Sequence, residues 1–380
     1  MNILVIGNGF DLAHKLPTRY SDFLNYIRGF LKYDLSLTQP DLVVEDKERL
    51  FFEYFEKLNV EKPDAYNELK QLAKSNLWID YFLSVYESRE KEGKDGWIDF
   101  ENEISVIIQV LDAIRVKSRE QFNTGKEHVR MDSWHFKCLR PLFFTSEKYN
   151  NIAEYNITPY FIPNCKTRLI DALNSLIRCL EIYLADYVQN LPIIPLEDIA
   201  ALDIDQVLSF NYTNTAERLY RARREKAIDF DYIHGKADIE SSLEKCNLVL
   251  GIDEYLSMPL QDNDNEFIEF KKFYQRIFKA TGSHYIDWID IRRENAKRMP
   301  KAPIAELRIY IYGHSLDVTD KDTLRNLILE EGAHTTVFYY DKRDLGKKIA
   351  NLVKVIGESE VIKRTDGRHA TLVFKETMKK

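Results

Sequence analysis

The chain has 380 residues, 44% of them hydrophobic and 30% charged, the composition of a soluble globular protein with one large domain or two medium ones. Only 14 glycines and 11 prolines exclude collagen-like and long disordered segments, while 21 Phe, 22 Tyr and 4 Trp favour a helix-rich, well-packed chain. The balance of 54 basic and 61 acidic residues gives a net charge of −7, which argues against a dedicated duplex-DNA binder but leaves a local basic patch open.

The first predicted element is a buried parallel strand, Asn2 to Ile6, running into Gly7-Asn8-Gly9. This apolar start is too short for a signal peptide or a membrane span, and no later run approaches the length of one. A helix follows Leu16-Pro17-Thr18, with Thr18 as the expected N-cap. Helical spacing of apolar residues then covers Arg49 to Leu58, Tyr66 to Tyr86, Ile98 to Val116 and Thr167 to Val188. Strands return late, at Asp205 to Phe210, Phe230 to Ile233, Asn247 to Leu250, Leu307 to Tyr312 and Thr335 to Tyr340. Their alternation with helices predicts an α/β fold with a mainly parallel, Rossmann-like sheet flanked by helices. The first strand must join that sheet to satisfy its backbone. Residues 1–30 and 200–380 are therefore read as the α/β core, and 31–199 as a large helical insertion or subdomain.

The four cysteines, Cys138, Cys165, Cys179 and Cys246, contain no CxxC pair, so no zinc or other metal site is expected. Reduced thiols and the missing leader predict a cytoplasmic protein without a membrane partner.

Four segments carry candidate chemistry. Gly7-Asn8-Gly9 is either a plain tight turn or a phosphate-holding one, backed by the next helix. It is not a full dinucleotide fingerprint, because Leu12 stands at the third glycine position. Ser209-Phe210-Asn211-Tyr212-Thr213-Asn214-Thr215 follows a strand, where open α/β sheets bind ligands; the bland reading is that Thr213 or Thr215 caps the next helix. Tyr232-Ile233-His234-Gly235 presents a histidine that is either functional or a satisfied core residue. Gly313-His314-Ser315-Leu316-Asp317, with Asp320, is a second strand-to-glycine turn suited to a ribose or phosphate. Each segment follows a predicted strand, so all four belong on one sheet edge.

The opening Ile3-Leu4-Val5-Ile6-Gly7-Asn8-Gly9-Phe10-Asp11-Leu12-Ala13-His14, continuing through Leu16-Pro17-Thr18-Arg19-Tyr20-Ser21-Asp22-Phe23, resembles the AbiH family of bacteriophage abortive-infection proteins. Trp97 to Glu101, Phe210 to Thr215, Ile233-His234-Gly235, Leu250-Gly251-Ile252-Asp253 and Gly313 to Asp317 resemble its later motifs in the same order. A more distant likeness is to sirtuin-like domains, on Gly7 and Gly9, Asn211, His234-Gly235, and Gly313 with Ser315. That likeness implies a catalytic asparagine at Asn211 and a catalytic histidine at His234. It departs at Thr213, where Asp is usual, at Asn8, where Ala is usual, and in lacking the zinc cysteine pairs. Without the zinc, it implies NAD hydrolysis rather than protein deacetylation.

The expectation is a phage-defence effector that binds NAD or a related nucleotide and hydrolyses its glycosidic bond. Asn211 and His234 are its catalytic pair; Gly7, Asn8, Gly9, Asp11, Thr213, Gly313, Ser315 and Asp320 contact the nucleotide. A phage-derived trigger and a second copy of the chain are the further partners considered. Two alternatives stay open. Asp253 with Glu269-Phe270-Lys271 has the order of a metal-dependent nuclease. The basic stretches Lys271 to Lys279, Arg292-Arg293 and Lys297-Arg298 suit a non-catalytic sensor or interaction module, or are simply solvated helix faces.

Overall fold

The computed structural model describes residues 1–39, 48–93, 98–146, 155–221, 227–255, 264–298, 306–368 and 370–378; Trp97 lies outside them. The described strands are β1 (Asn2–Ile6), β2 (Val129–Met131), β3 (Tyr155–Ile157), β4 (Gln206–Ser209), β5 (Asp229–Tyr232), β6 (Leu307–Tyr312), β7 (Ala333–Tyr339) and β8 (Leu372–Glu376). The chain forms two compact units, one from Met1–Thr18, Leu184–Ala237 and Lys279–Lys380, the other from Arg19–Tyr183 and Asp238–Phe278.

The first unit is built on a six-stranded sheet in the order β5-β4-β1-β6-β7-β8, and every neighbouring pair is parallel. Counted along the chain, these strands run 3-2-1-4-5-6, the order of a doubly wound α/β sheet. After β5 the chain returns to the far side of β1, so strand order reverses between β1 and β6. Successive side chains of a strand point to opposite faces. Ile3 and Val5 accordingly pack with Ile309, Ile311 and Val337 under Leu324, Leu327, Leu352 and Val355 of the helices on one face. Leu4 and Ile6 pack with Val207 and Phe338 against Phe10, Ile199, Ala216 and Leu219 on the other. Burial on both faces explains why these strands read as continuous apolar runs.

Three sequence expectations change here, and the helical unit brings more. Leu248, Val249 and Leu250 are buried, but Asn247–Leu250 is not a strand. The Gln275 side chain takes the place of a neighbouring strand, accepting from Leu250 N at 3.1 Å and donating to Leu250 O at 3.1 Å. Second, β8 closes the sheet edge at a segment that carried no strand expectation. Third, Thr18 does not cap the following helix. Its hydroxyl donates to Asn8 Oδ1 at 2.6 Å, while that helix, Tyr20–Ser36, starts after Arg19, whose N–H donates to the Asp22 carboxylate.

The second unit is mainly helical, with β2 and β3 as a short antiparallel pair. The expected helix Tyr66 to Tyr86 is two helices, Pro63–Ala73 and Leu77–Lys91. Asn76 separates them by accepting from Trp78 N and Ile79 N as an N-cap. The unit's bounds differ from residues 31–199, because it starts at Arg19 and includes Asp238–Phe278. Arg178 supplies the physical reason. Its buried guanidinium donates to the carbonyls of Asp238, Ile239 and Ser241 and pairs with Glu68 and Glu181.

Candidate active site

The four segments singled out in the sequence end β1, β4, β5 and β6, and all lie in the first unit. Parallel strands put these ends on one edge, at the reversal of strand order.

The turns after β1 and β6 are packed backbone to backbone. Gly9 N donates to Gly313 O at 2.8 Å and Gly7 N to Tyr312 O at 3.3 Å. A Cβ on Gly313 would lie 2.0 Å from Phe10 N, and one on Gly9 would lie 2.8 Å from the Gly313 Cα. Gly313 also sits at φ +67°, in the left-handed region that favours glycine. These glycines therefore serve close approach, and the Gly7 and Gly9 N–H groups are not the ones that would meet a phosphate. Asn8 between them is exposed.

From the first turn the helix Asn8–Ala13 carries Asp11 inward, where only 1% of it is exposed. Asn211 Nδ2 donates to Asp11 Oδ2 at 3.1 Å, and the Thr213 hydroxyl donates to the same oxygen at 2.6 Å. Thr215 Oγ1 backs this up by donating to Thr213 Oγ1 at 3.1 Å. The threonines thus serve Asp11 and not a helix end; the helix Thr215–Tyr220 follows Asn214 with no side-chain cap. Burial raises the Asp11 pKa to about 6, against the lowering pull of Thr213, Thr215 and Asn211. Its Oδ1 is buried and unpartnered, as is Asn214 Oδ1 on the neighbouring strand end. Orphaned polar atoms are rare in a folded interior and point to a group that binds there.

A second cluster forms around Asp320. His234 Nε2 lies 3.4 Å from its Oδ1, and His314 Nε2 lies 3.3 Å from its Oδ2. The Phe210 ring packs on both histidines of this cluster, with its centroid 5.5 Å from the His234 ring and 4.4 Å from the His314 ring. The second turn is firmly held. Leu316 N donates to His314 Nδ1 at 2.9 Å, Lys348 Nζ donates to His314 O at 2.6 Å, and Asn351 Nδ2 donates to Ser315 O at 3.0 Å. Ser315 itself is exposed. His14, in the first motif, bonds Phe10 O and the Tyr220 hydroxyl as a core histidine does.

The family model for bacteriophage abortive infection AbiH matches residues 3–341, a span that contains all four segments. The chain belongs to the AbiH family. Abortive infection of bacteriophage is the function this membership supports. No curated protein and no solved structure matches the chain. Within this AbiH-family chain, Asn211 and Thr213 both meet Asp11, and His234 meets Asp320. His314 is the residue that sequence reasoning left off the site. The signal was present, since His314 sits inside the quoted Gly313-to-Asp317 motif, but only the fold brings it to Asp320.

Two residues of the nuclease alternative, Lys271 and Glu269, are ion-paired. In the helical unit Lys271 pairs with Glu254 at 2.5 Å, and Glu269 pairs with Lys166 at 3.0 Å. Among the described residues no group of three or more His, Cys, Asp or Glu is arranged to hold a metal ion. The basic stretches are also internally paired: Lys272 with Glu101, and Arg292 and Arg293 with Glu330. Among the described residues no helix is long and apolar enough to cross a membrane. The four cysteines are free thiols, and burial pushes that of Cys165 up to about 12.

Proposed function

We propose that the chain is an abortive-infection effector that binds NAD, or a related nucleotide, at the carboxyl edge of its six-stranded sheet and hydrolyses the nicotinamide glycosidic bond. One observation carries the reading: at the reversal of strand order, Asn211 is held on the first-turn Asp11, while His234 and the second turn meet on Asp320. Doubly wound sheets bind nucleotides at that place. The sirtuin-like order of Gly7, Asn211, His234 and Gly313 supports the same ligand class.

In this reaction water adds to C1′ of the nicotinamide ribose, the C–N bond breaks, and nicotinamide leaves neutral with the bonding electron pair. ADP-ribose and one proton complete the balance. A neutral leaving group needs no strong acid, so catalysis rests on an oriented water and on stabilising the cationic sugar. The Asn211 amide nitrogen is committed to Asp11, which turns its Oδ1 into the atom that orients the water. His234 accepts the proton released. Asp11, mostly ionised at pH 7, offsets the sugar charge through its unpartnered Oδ1. Asn8 and Ser315, exposed on the two turns, and Thr213 beside Asp11 contact the nucleotide. The effector works in the cytoplasm, where the NAD pool lies, and a phage-derived signal switches it on.

Four variants test the assignment. Asn211→Ala and His234→Ala should abolish most nicotinamide release while the melting curve stays near that of the wild type. Asp253→Asn and Glu269→Gln should release it at the wild-type rate. Loss of a magnesium-dependent nuclease in the second pair, with the first pair silent, would overturn the reading.

A further inference from the structure

Asp320 reads from sequence as a nucleotide contact, but its two oxygens are each turned to a histidine: Oδ1 to His234 Nε2 and Oδ2 to His314 Nε2. The two histidines differ in what holds them. A backbone N–H always donates, so Leu316 N, 2.9 Å from His314 Nδ1, makes that nitrogen an acceptor. A neutral imidazole carries one proton, which must then sit on Nε2 and face Asp320 Oδ2. The same bond bars His314 Nε2 from ligating a metal, because the nitrogen already bears hydrogen.

The ring has no freedom to escape this state. His314 is 3% exposed, its carbonyl takes the Lys348 ammonium, and Phe210 packs against it. The next residue but one, Leu316, is held at φ +59°, a backbone conformation that a branched residue adopts only under local constraint. Two oxygens of one carboxylate are thus divided between a fixed donor and His234.

We infer that His314 and Asp320 are positioning residues for His234: the pinned His314 fixes the Asp320 carboxylate, which holds His234 in the Nε2–H tautomer and leaves Nδ1 as its proton acceptor. The inference rests on the proposed role of His234 as acceptor. It adds the reason why that histidine presents one defined nitrogen, and it moves Asp320 from the ligand to the support of the base. An aspartate behind a histidine performs this task in hydrolases of unrelated fold. Here a second histidine sets the aspartate.

The arrangement makes D320N directional. An amide offers one acceptor and one donor end, and His314 Nε2–H claims the acceptor. The NH₂ group is left facing His234 Nε2, which must then accept, and the His234 proton moves to Nδ1. The test is ¹⁵N spectroscopy of histidine-labelled full-length protein, with signals assigned by their loss in H234Q and H314Q. In the wild type, both histidines should show a protonated Nε2 and an unprotonated Nδ1. In folded D320N, His314 should be unchanged and His234 should exchange its two signals. The companion readout is nicotinamide release, which D320N should lower by about 10²-fold or more, since misdirected protons at such a residue cost at least that much. Wild-type His234 protonated on Nδ1, or a His234 pattern unmoved in D320N, would overturn the inference. If no variant and no wild type cleaves NAD while the tautomers behave as described, the positioning stands and the NAD reading fails. The wild-type spectrum alone decides the tautomer claim should D320N not fold.

Discussion

Asp11 concentrates the electrostatics of the candidate site. Its carboxyl is moved from 3.8 to about 6 by burial, so the folded protein binds this proton more tightly than the unfolded chain does. That contribution to stability is fully present below pH 3.8 and is lost as pH rises through about 6. Asp11→Asn removes the titration. Its stability relative to the wild type should therefore increase between those pH values, by about 3 kcal/mol from the size of the shift. Chemical denaturation of both proteins at pH 4 and pH 7.5 measures this; a difference that ignores pH would contradict the burial argument. The same proton should switch activity off as pH falls below about 6, because the protonated carboxyl no longer opposes a cationic sugar. Asn211 has a different signature. A group that orients water acts mainly in the transition state, so Asn211→Ala should cost about 10²–10³ in rate with little change in NAD affinity. Equal losses in affinity and rate would make Asn211 a binding residue instead. The Asp11–Asn211 bond spans 200 residues of sequence, which is why neither partner could be read from the other.

Among elements, the two glycine turns behave as one part. Gly313→Ala places a Cβ where Phe10 N and the Gly9 carbonyl carbon already are, at a φ of +67°. The strands cannot part without breaking β1–β6 pairing, so the expected loss is about 3 kcal/mol or more. A melting curve like that of the wild type would show that the turns have room to separate. Ser315→Ala, two residues on and exposed, should be nearly neutral for stability. The strands that line this edge were legible because burial on both faces demands unbroken apolar runs. Asn247–Leu250 has the same apolar look, yet at Leu250 the Gln275 side chain bonds both backbone groups in place of a neighbouring strand, and composition cannot reveal that. The break at Asn76 was readable in principle from its capping amide, but the apolar spacing continues across it. At β8, buried Leu372 alternates with exposed Val373 and Lys375, a pattern too weak to stand out from a loop.

At the scale of the whole chain, each compact unit has its own core and its own weak point. In the helical unit that point is Arg178, 1% exposed, with Glu181 equally buried beside it. Arg178→Met leaves the Glu181 charge without its partner and releases three carbonyls, so the unit should lose about 3–5 kcal/mol. A melting transition unchanged by that substitution would mean the ion pairs merely accompany the packing. The sheet unit is what made the fold class readable from sequence. Strand, glycine turn and helix recur at both ends of the chain, and one sheet is the only place for β1 to pair. Its reversal of strand order then brings residues 11, 211, 234 and 320 to one edge, a fact of topology that no local pattern contains. The most direct test of the NAD-hydrolysis proposal is release of free nicotinamide from NAD by the purified full-length protein, with and without magnesium, alone and in extract of phage-infected cells. The account predicts nicotinamide and ADP-ribose in equal amounts, independent of magnesium. Intact NAD under all four conditions, from protein shown to be folded, would contradict it.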